Sequence, residues 1–291
     1  MATLAQASKK YLTFIELTKA KAWPTIVKET CALNGWNEFV GTTPLRKLTR
    51  DDLNEYAVAR AEEGASNRTV NLDILALKNC LLFARDSGLI PADKPLVTDS
   101  WKPLKHTTPR RSLFPKSVLM DFIAESLRTE KHARGQFLCD YLRLLAFSGA
   151  RKTAALTLKW ENVDWRNEQV TFQSKFDKWI VVDMNRDLKG LLSDMELRRT
   201  PSPFVFPGED DGHACDPHKT FHELRLAIGK PAITLHDFRH YFASNSVMSG
   251  VDLMTVASWL GHTDGGRLVQ KVYGHLSTEF RKQSAGKVQF A

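Results

Sequence analysis

The carboxyl-terminal third of this 291-residue chain carries side chains that could bind an anion and supply a nucleophile. In the stretch LHDFRHYFAS, His236 and Arg239 are three residues apart, so on a helix they share one face and can point at the same anion. Further on, VQKVYGHL contains Tyr273, which is either a packing residue of a terminal helix or a nucleophile. Neither stretch decides this alone, because most histidines are not catalytic.

Three further segments add candidate side chains. Arg151, in SGARKTAALTLKW, follows a predicted helix end at Gly149, where a positive charge also complements the helix dipole. The segment QSKFDKW offers Lys175 and Lys178, either of which could be an ordinary exposed turn lysine. The segment WLGHTDGG adds His262.

The segment GHACDPHKTFHELR could instead bind a metal ion. It contains four side chains of the types that zinc prefers, namely His213, Cys215, His218 and His222. No C-x-x-C pair accompanies them, and Pro217 interrupts a continuous helix. A loop that enters a helix is the favoured interpretation, and we predict no metal site.

Composition favours a globular protein with a polyanionic partner. The chain is 43% hydrophobic and 25% charged, with a net charge of +8 and a pI of about 9.3, so nucleic acid or a membrane surface would attract it. No apolar run approaches the length of a membrane span, and no signal-peptide pattern opens the sequence. The four scattered cysteines predict free thiols in a cytoplasmic protein.

The elements that must position these side chains fall into two domains. Residues 1–95 predict a small all-helical domain, in which apolar residues of segment 68–86 line one helical face, with Leu75 widening that face and Asp73 outside it. Two more helices are expected there, over 7–18 and 49–62.

A basic linker containing prolines is predicted over residues 96–112. No acidic residue lies between Asp99 and Asp121, whereas the linker carries four cations, Lys102, Lys105, Arg110 and Arg111. Such a segment is either a solvated connector or a contact to a polyanion, and its composition leaves both open.

Residues 113–291 predict a larger domain that is mostly α-helical with a small antiparallel sheet. One helix opens at 114–117 and runs to 128, another covers 135–148, and more follow residue 234. Between them, QVTFQSKFDKWIVVD alternates apolar and polar residues on both sides of a turn, which is typical of a β-hairpin.

Taken in order, these segments resemble the tyrosine recombinase family, which includes the phage integrases. The family's first arginine falls at Arg151, its hairpin lysine at Lys175 with Lys178 as the near alternative, and its H-x-x-R-H box at His236-Asp-Phe-Arg239-His240. Its L-G-H and Y-x-H-L signatures correspond to Leu260-Gly-His262 and Tyr273-Gly-His275-Leu276. The likeness runs from about residue 7 to the carboxyl terminus. It implies a helical core DNA-binding domain followed by a mixed α/β catalytic domain.

The resemblance implies a site-specific DNA recombinase that cleaves and rejoins DNA. Tyr273 would become joined to the 3′-phosphate and free the 5′-hydroxyl, so that rejoining needs neither ATP nor metal, and no cofactor is expected. Arg151 and Arg239 would clamp the phosphate, because guanidinium groups are permanently charged and bidentate.

The remaining implied roles concern protons and hydrogen bonds. His236 would accept the tyrosine proton or hold the phosphate. Lys175 would protonate the leaving 5′-oxygen, and His262 would donate a hydrogen bond to the phosphate.

The implied partner is double-stranded DNA with inverted-repeat core sites, bound by a homotetramer and accessory DNA-bending proteins within the nucleoid, without a membrane. The reaction would be integration, excision or resolution. The linker cations would then contact phosphates along the duplex, with an affinity that falls steeply with salt.

One position departs from the family's pattern. Three residues after Arg151 the family usually has an acid that orients the site, and this chain has Ala154. The alternatives are therefore a weak or inactive DNA-binding protein descended from a recombinase, or a strand transferase like the type IB topoisomerases.

Overall fold

The computed structural model describes residues 1–107, 113–129, 132–174, 178–208, 212–263 and 265–273. The chain divides into two compact units, Met1–Arg110 and Arg111–Ala291. Within the described ranges, no helix combines the length and the apolar character that crossing a membrane requires. Three of the predicted functional residues, Arg110, Arg111 and Lys175, lie outside the described residues.

The described part of the first unit contains four α-helices around one apolar core. They are α1 (Leu4–Leu17), α2 (Trp23–Val40), α3 (Arg50–Glu62) and α4 (Asn67–Asp86). The sequence predicted three of them and missed α2. Its buried face contains Ile26, Glu29, Leu33 and Trp36, at steps of three and four, but the glutamate interrupts the apolar pattern.

Two residues of α4 contradict the apolar face predicted for it. Asp73 is only 7% exposed, whereas Leu75 is 49% exposed. Asp73 lies three residues after Val70 and four before Leu77, and both of these are fully buried. The aspartate tolerates burial because Arg60 Nε donates to its carboxylate at 3.1 Å, which offsets the loss of water.

Part of the predicted linker packs against the core of the first unit. Val97–Ser100 forms a 3₁₀ turn, and Trp101 and Leu104 are half-buried against the same core. Lys102 and Lys105, which alternate with them, are exposed. These two lysines therefore belong to the surface of the first unit.

The described part of the second unit contains eight α-helices and a three-stranded antiparallel sheet. Its elements are α5 (Lys116–Thr129), α6 (His132–Ser148), α7 (Lys152–Leu156), β1 (Val163–Asp164), β2 (Gln169–Gln173), β3 (Trp179–Asp183), α8 (Arg186–Glu196), α9 (His218–Ala227), α10 (Leu235–Met248), α11 (Leu253–Trp259) and α12 (Arg267–Tyr273). The prediction of a mostly helical chain with a small antiparallel sheet is confirmed.

The sheet has the order β1-β2-β3 and packs one face on the main core of this unit. Val170 pairs with Val182 and Phe172 pairs with Ile180, as the alternation predicted. Beyond β2, the N–H of Ser174 donates to the carbonyl of Lys178 at 2.6 Å. The hairpin is therefore closed at its base by the residues that flank 175–177.

A smaller apolar cluster joins the last three helices. Phe242 and Val247 of α10, Val256 of α11, the adjoining Leu260 and Val269 of α12 are buried in it. This cluster fixes α12 against α10 and α11.

Candidate active site

Arg239 is held inside the second unit by two backbone carbonyls. It lies on α10 with 6% of its surface exposed. Its Nη1 donates to Gly149 O at 2.7 Å, and its Nη2 donates to Leu260 O at 2.5 Å. These carbonyls follow the ends of α6 and α11, so three separate elements define the plane of the guanidinium.

His262 follows α11 in a tight turn that requires a glycine. Gly261 has φ +61°, and a methyl group on it would lie 2.2 Å from Ile180 Cδ1 of β3. The turn places His262 Nε2 at 3.4 Å from Arg239 Nη2. An imidazole and a fixed cation are therefore adjacent.

Arg151 reaches the same place from the start of α7. Gly149, two residues earlier, ends α6 with φ +65°, and a methyl group there would lie 2.4 Å from a ring carbon of Phe242. Arg151 Nη1 donates to Ser174 Oγ at 3.1 Å and would lie 3.5 Å from a methyl group on Gly261. Both arginines thus border one turn.

The charge of Arg151 is available to an anion. Among the described residues, its guanidinium donates to a neutral hydroxyl, and no carboxylate contributes to the shift of its pKa. Burial lowers the pKa of Arg151 from its ordinary value, yet an arginine side chain stays protonated in proteins. A half-buried, unneutralised cation of this kind favours a bound phosphate.

His236 lies one turn before Arg239 on α10. A capping box fixes the start of this helix, because the N–H and hydroxyl of Thr234 both donate to Asp237 at 2.7 Å. His236 is exposed, and its ring contacts that of His240 edge to face, with centroids 4.7 Å apart. The exposed imidazole can therefore meet a substrate that approaches Arg239.

The structure leaves two predicted groups without a described side chain. Lys175 lies outside the described residues, whereas Lys178 is exposed at the base of the hairpin. The backbone of Tyr273 ends α12, which packs against α10 and α11, but its phenol lies outside the described part of the chain.

Ala154 lies in α7 with 6% of its surface exposed, as part of the main apolar core. The position therefore supplies no carboxylate, and its neighbours Ala155 and Leu156 are buried as well. The departure from the family's pattern is accommodated as apolar packing.

The histidine-rich segment gives no sign of a zinc site. His213 Nδ1 lies 2.9 Å from Ala214 O, and His222 Nδ1 lies 2.8 Å from Arg225 Nη2. Throughout the ranges that the structure describes, no three histidine, cysteine or acidic side chains are grouped as metal ligands would be.

Arg151, Arg239 and His262 converge on one turn, with His236 on the adjoining face of α10. Residues 117–279 match the family model described as the phage integrase family. The chain belongs to this family. It is thus a tyrosine-type site-specific recombinase, as the order of its motifs predicted.

Known proteins resemble this recombinase along nearly its whole length. Tyrosine recombinase XerC of Bacillus licheniformis is 23% identical, covering 98% of this chain and 96% of the relative. XerH recombinase bound to a palindromic difH substrate has a TM-score of 0.73 at 17% identity, covering 96% of this chain and 84% of that one. A lambda integrase tetramer on a Holliday junction has a TM-score of 0.74 at 14% identity, covering 92% and 79%.

Sequence reasoning missed two contacts that position the site. Ser174 accepts from Arg151, and Asp183 accepts from Trp259 Nε1 at 2.8 Å. The strand alternation could have indicated Ser174, because it continues the inward face of Val170 and Phe172. No sequence signal indicates the Trp259 contact, since it joins residues far apart in the chain.

Proposed function

We propose that this recombinase cleaves and rejoins duplex DNA through a covalent bond between Tyr273 and a 3′-phosphate. The observation that carries the proposal is the convergence of Arg151, Arg239 and His262 at one turn. Two guanidiniums and an imidazole can donate to the non-bridging oxygens of a phosphodiester, where negative charge grows during attack. Electrostatic preorganisation of this kind is usually the largest catalytic contribution, at about 2.7–4 kcal/mol per donor.

The attacking phenol needs a proton acceptor. With a pKa near 10, only about 0.1% of a free tyrosine is ionised at pH 7. His236 shares a helical face with Arg239, so its imidazole would lie beside the bound phosphate and could accept this proton. A bond then forms between the phenol oxygen and phosphorus, and the bond from phosphorus to the 5′-oxygen breaks. Lys175 would give its proton to that oxygen.

Two of the structural neighbours support a proposal for the arrangement of the DNA. The XerH structure contains a palindromic substrate and the lambda integrase structure contains a tetramer on a Holliday junction. We assign to this chain an inverted-repeat core site and a homotetramer. Exchange between two duplexes requires that four strands be cut, and each cut needs one nucleophile. Accessory DNA-bending proteins would complete such an assembly.

The first unit is assigned the role of core DNA-binding domain. Its exposed Lys102 and Lys105 lie on a segment that packs on its core, so their ammonium groups project from a fixed surface. Arg110 and Arg111 continue the basic segment in the sequence. We assign these four cations to phosphate contacts, which position the protein without reading bases.

A nicked suicide duplex tests the covalent step. The cognate site is first found by searching the DNA that flanks the gene for paired inverted repeats. Wild-type protein should form an adduct with this duplex that survives denaturing electrophoresis, and Tyr273→Phe should not. Tyr241→Phe, which changes a second phenol of the same unit, should still form the adduct.

The outcomes separate the candidate functions. Salt-sensitive binding without an adduct would indicate a DNA-binding protein that no longer cleaves DNA. Buried Ala154, which stands where the family usually has an acid, is the reason to consider this alternative. An adduct with relaxation of supercoiled DNA but no exchange between two sites would indicate the topoisomerase-like alternative.

A further inference from the structure

We infer that Ser174 is a positioning residue that holds Arg151 in place for the phosphate; this inference rests on the proposed cleavage reaction. The hydroxyl of Ser174 accepts from Arg151 Nη1 at 3.1 Å. The sequence motifs assign no role to this serine, which directly follows β2.

The two arginines are fixed to different degrees. Arg239 donates to two backbone carbonyls and is almost fully buried. Arg151 is half-buried, and within the described residues Ser174 Oγ is its one hydrogen-bond acceptor. Removing that hydroxyl would release the long side chain of Arg151, whereas Arg239 keeps its two backbone acceptors when a neighbouring side chain is changed.

Backbone contacts on both sides of the hairpin hold Ser174 in place, as a positioning residue requires. It follows Gln173, which pairs with Trp179, and its own N–H donates to Lys178 O at 2.6 Å. Its hydroxyl continues the inward face of β2, after the fully buried Val170 and Phe172. The hydroxyl of Ser174 is therefore placed to orient Arg151 before the substrate binds.

The contact joins two parts of the proposed machinery. Ser174 directly precedes Lys175 in the chain. The residue that positions Arg151 is thus also the one before Lys175 in the sequence. Two routes of action follow, one through Arg151 to the phosphate and one through Lys175 to the leaving oxygen. The observed hydrogen bond points to the first.

Single-turnover cleavage of the nicked duplex tests the inference. Ser174→Ala should cleave at least about tenfold more slowly than wild type, which corresponds to about 1.4 kcal/mol, with DNA binding within about twofold. Ser174→Thr, which keeps the hydroxyl, should restore most of the rate. Thr171→Ala removes a hydroxyl from the opposite face of β2 and should cleave like wild type. Melting temperatures of all three would detect misfolding.

Two further measurements test whether Ser174 acts through Arg151 on the phosphate or through Lys175 on the leaving oxygen. In the double variant Ser174→Ala with Arg151→Ala, the serine change should add little to the loss caused by the arginine change. A methylphosphonate at the scissile position carries no charge, so the deficit of Ser174→Ala should shrink on it.

Contrary results are equally specific. Wild-type cleavage by Ser174→Ala, or fully additive losses in the double variant, would overturn the inference. So would rescue by a sulfur at the bridging 5′ position, because that substrate bypasses the leaving-group proton and not the arginine. Failure of the proposed function itself would be seen separately, as an absent adduct in wild type or a persistent one in Tyr273→Phe.

Discussion

Trp259 Nε1 donates to Asp183 Oδ2 at 2.8 Å and so ties the end of α11 to the end of β3. The turn that carries His262 begins one residue later, and its Gly261 lies against Ile180 of the same strand. β3 therefore supports this turn at two points. The orientation of His262 beside Arg239 depends on a strand that contributes no catalytic group of its own.

The contact of Asp183 predicts a pH-dependent part of the stability. Hydrogen bonds from Trp259 and Gln169 hold the pKa of the Asp183 carboxyl below its ordinary value. A group with a lowered folded pKa stabilises the fold above its unfolded pKa, about 3.9, and this stability is lost as pH falls through the folded pKa. Asp183→Ala should therefore lower the free energy of unfolding near pH 7. The decrease should be only about 1 kcal/mol, because solvent weakens an exposed charge-assisted hydrogen bond.

Urea unfolding of Asp183→Ala and wild type from about pH 7 to pH 3 measures this difference, which should narrow below about pH 4. Asp121→Ala, at an exposed aspartate of α5, is the control and should differ little from wild type. An Asp183→Ala deficit that grows at low pH would contradict the assignment.

Gly261→Ala should disable the His262 turn. The left-handed backbone alone costs about 1–2 kcal/mol for a residue with a Cβ, and the new methyl group would collide with Ile180 Cδ1 at 2.2 Å. Gly229→Ala is the matched control, because its φ is +66° but nothing lies within 4 Å of the added methyl group. Cleavage should fall further for Gly261→Ala than its melting temperature explains.

A second change can separate collision from backbone strain at this turn. Adding Ile180→Val to Gly261→Ala removes the colliding methyl group and should restore part of the cleavage rate. Equal activity and stability of the two glycine variants would show that the close approach to β3 is unimportant.

Arg239→Ala should lower cleavage by at least about 100-fold with DNA binding largely kept, because a transition-state donor is lost. The structure adds a stability cost. Gly149 O and Leu260 O lose their buried donor, at about 1–3 kcal/mol for each carbonyl left unsatisfied. Arg239→Lys should remain slow, since an ammonium group cannot span both carbonyls and a phosphate.

Thermal unfolding and binding isotherms of both Arg239 variants distinguish loss of chemistry from loss of fold. If Arg239→Ala is folded, binds DNA and cleaves like wild type, the arginine has no catalytic role.

The sequence predicted the elements whose pattern is local. The hairpin was found because Val170, Phe172 and Val182 alternate with polar residues, and all three are buried. The order of the motifs likewise predicted that Arg151, Arg239 and His262 act together. Each motif is short and depends on residues close in the chain.

Contacts between distant residues were not predictable in this way. Asp73 was placed outside a helical face because aspartate is rarely buried, and its burial is tolerated because Arg60 and Tyr56 of α3 donate to its carboxylate. The contact of Ser174 with Arg151 requires that the serine continue the face of β2 that is directed toward the start of α7. A one-residue change of register would point the hydroxyl to the other face.

The exposed lysines of the first unit should contribute to salt-dependent binding. Each phosphate contact adds about 0.9 to the slope of log affinity against log salt for duplex DNA. Lys102→Ala with Lys105→Ala should therefore reduce the slope by up to about 1.8. Lys189→Ala, at a lysine of α8 already paired with Glu168, is the control and should leave the slope unchanged. An unchanged slope in the double variant would remove both lysines from the DNA contact.

Lys175 and Lys178 are distinguished by the leaving group. The proposed acid gives a proton to the 5′-oxygen, so its loss should slow cleavage of an ordinary duplex by about 10²–10⁴-fold. A sulfur at the bridging 5′ position leaves readily without that proton, and this substrate should restore cleavage in the variant that lacks the true acid. We expect the rescue for Lys175→Ala and only a small defect for Lys178→Ala, whose backbone carbonyl at the hairpin base is kept. Rescue of Lys178→Ala instead would transfer the role to that lysine, and rescue of neither would show that the hairpin supplies no proton.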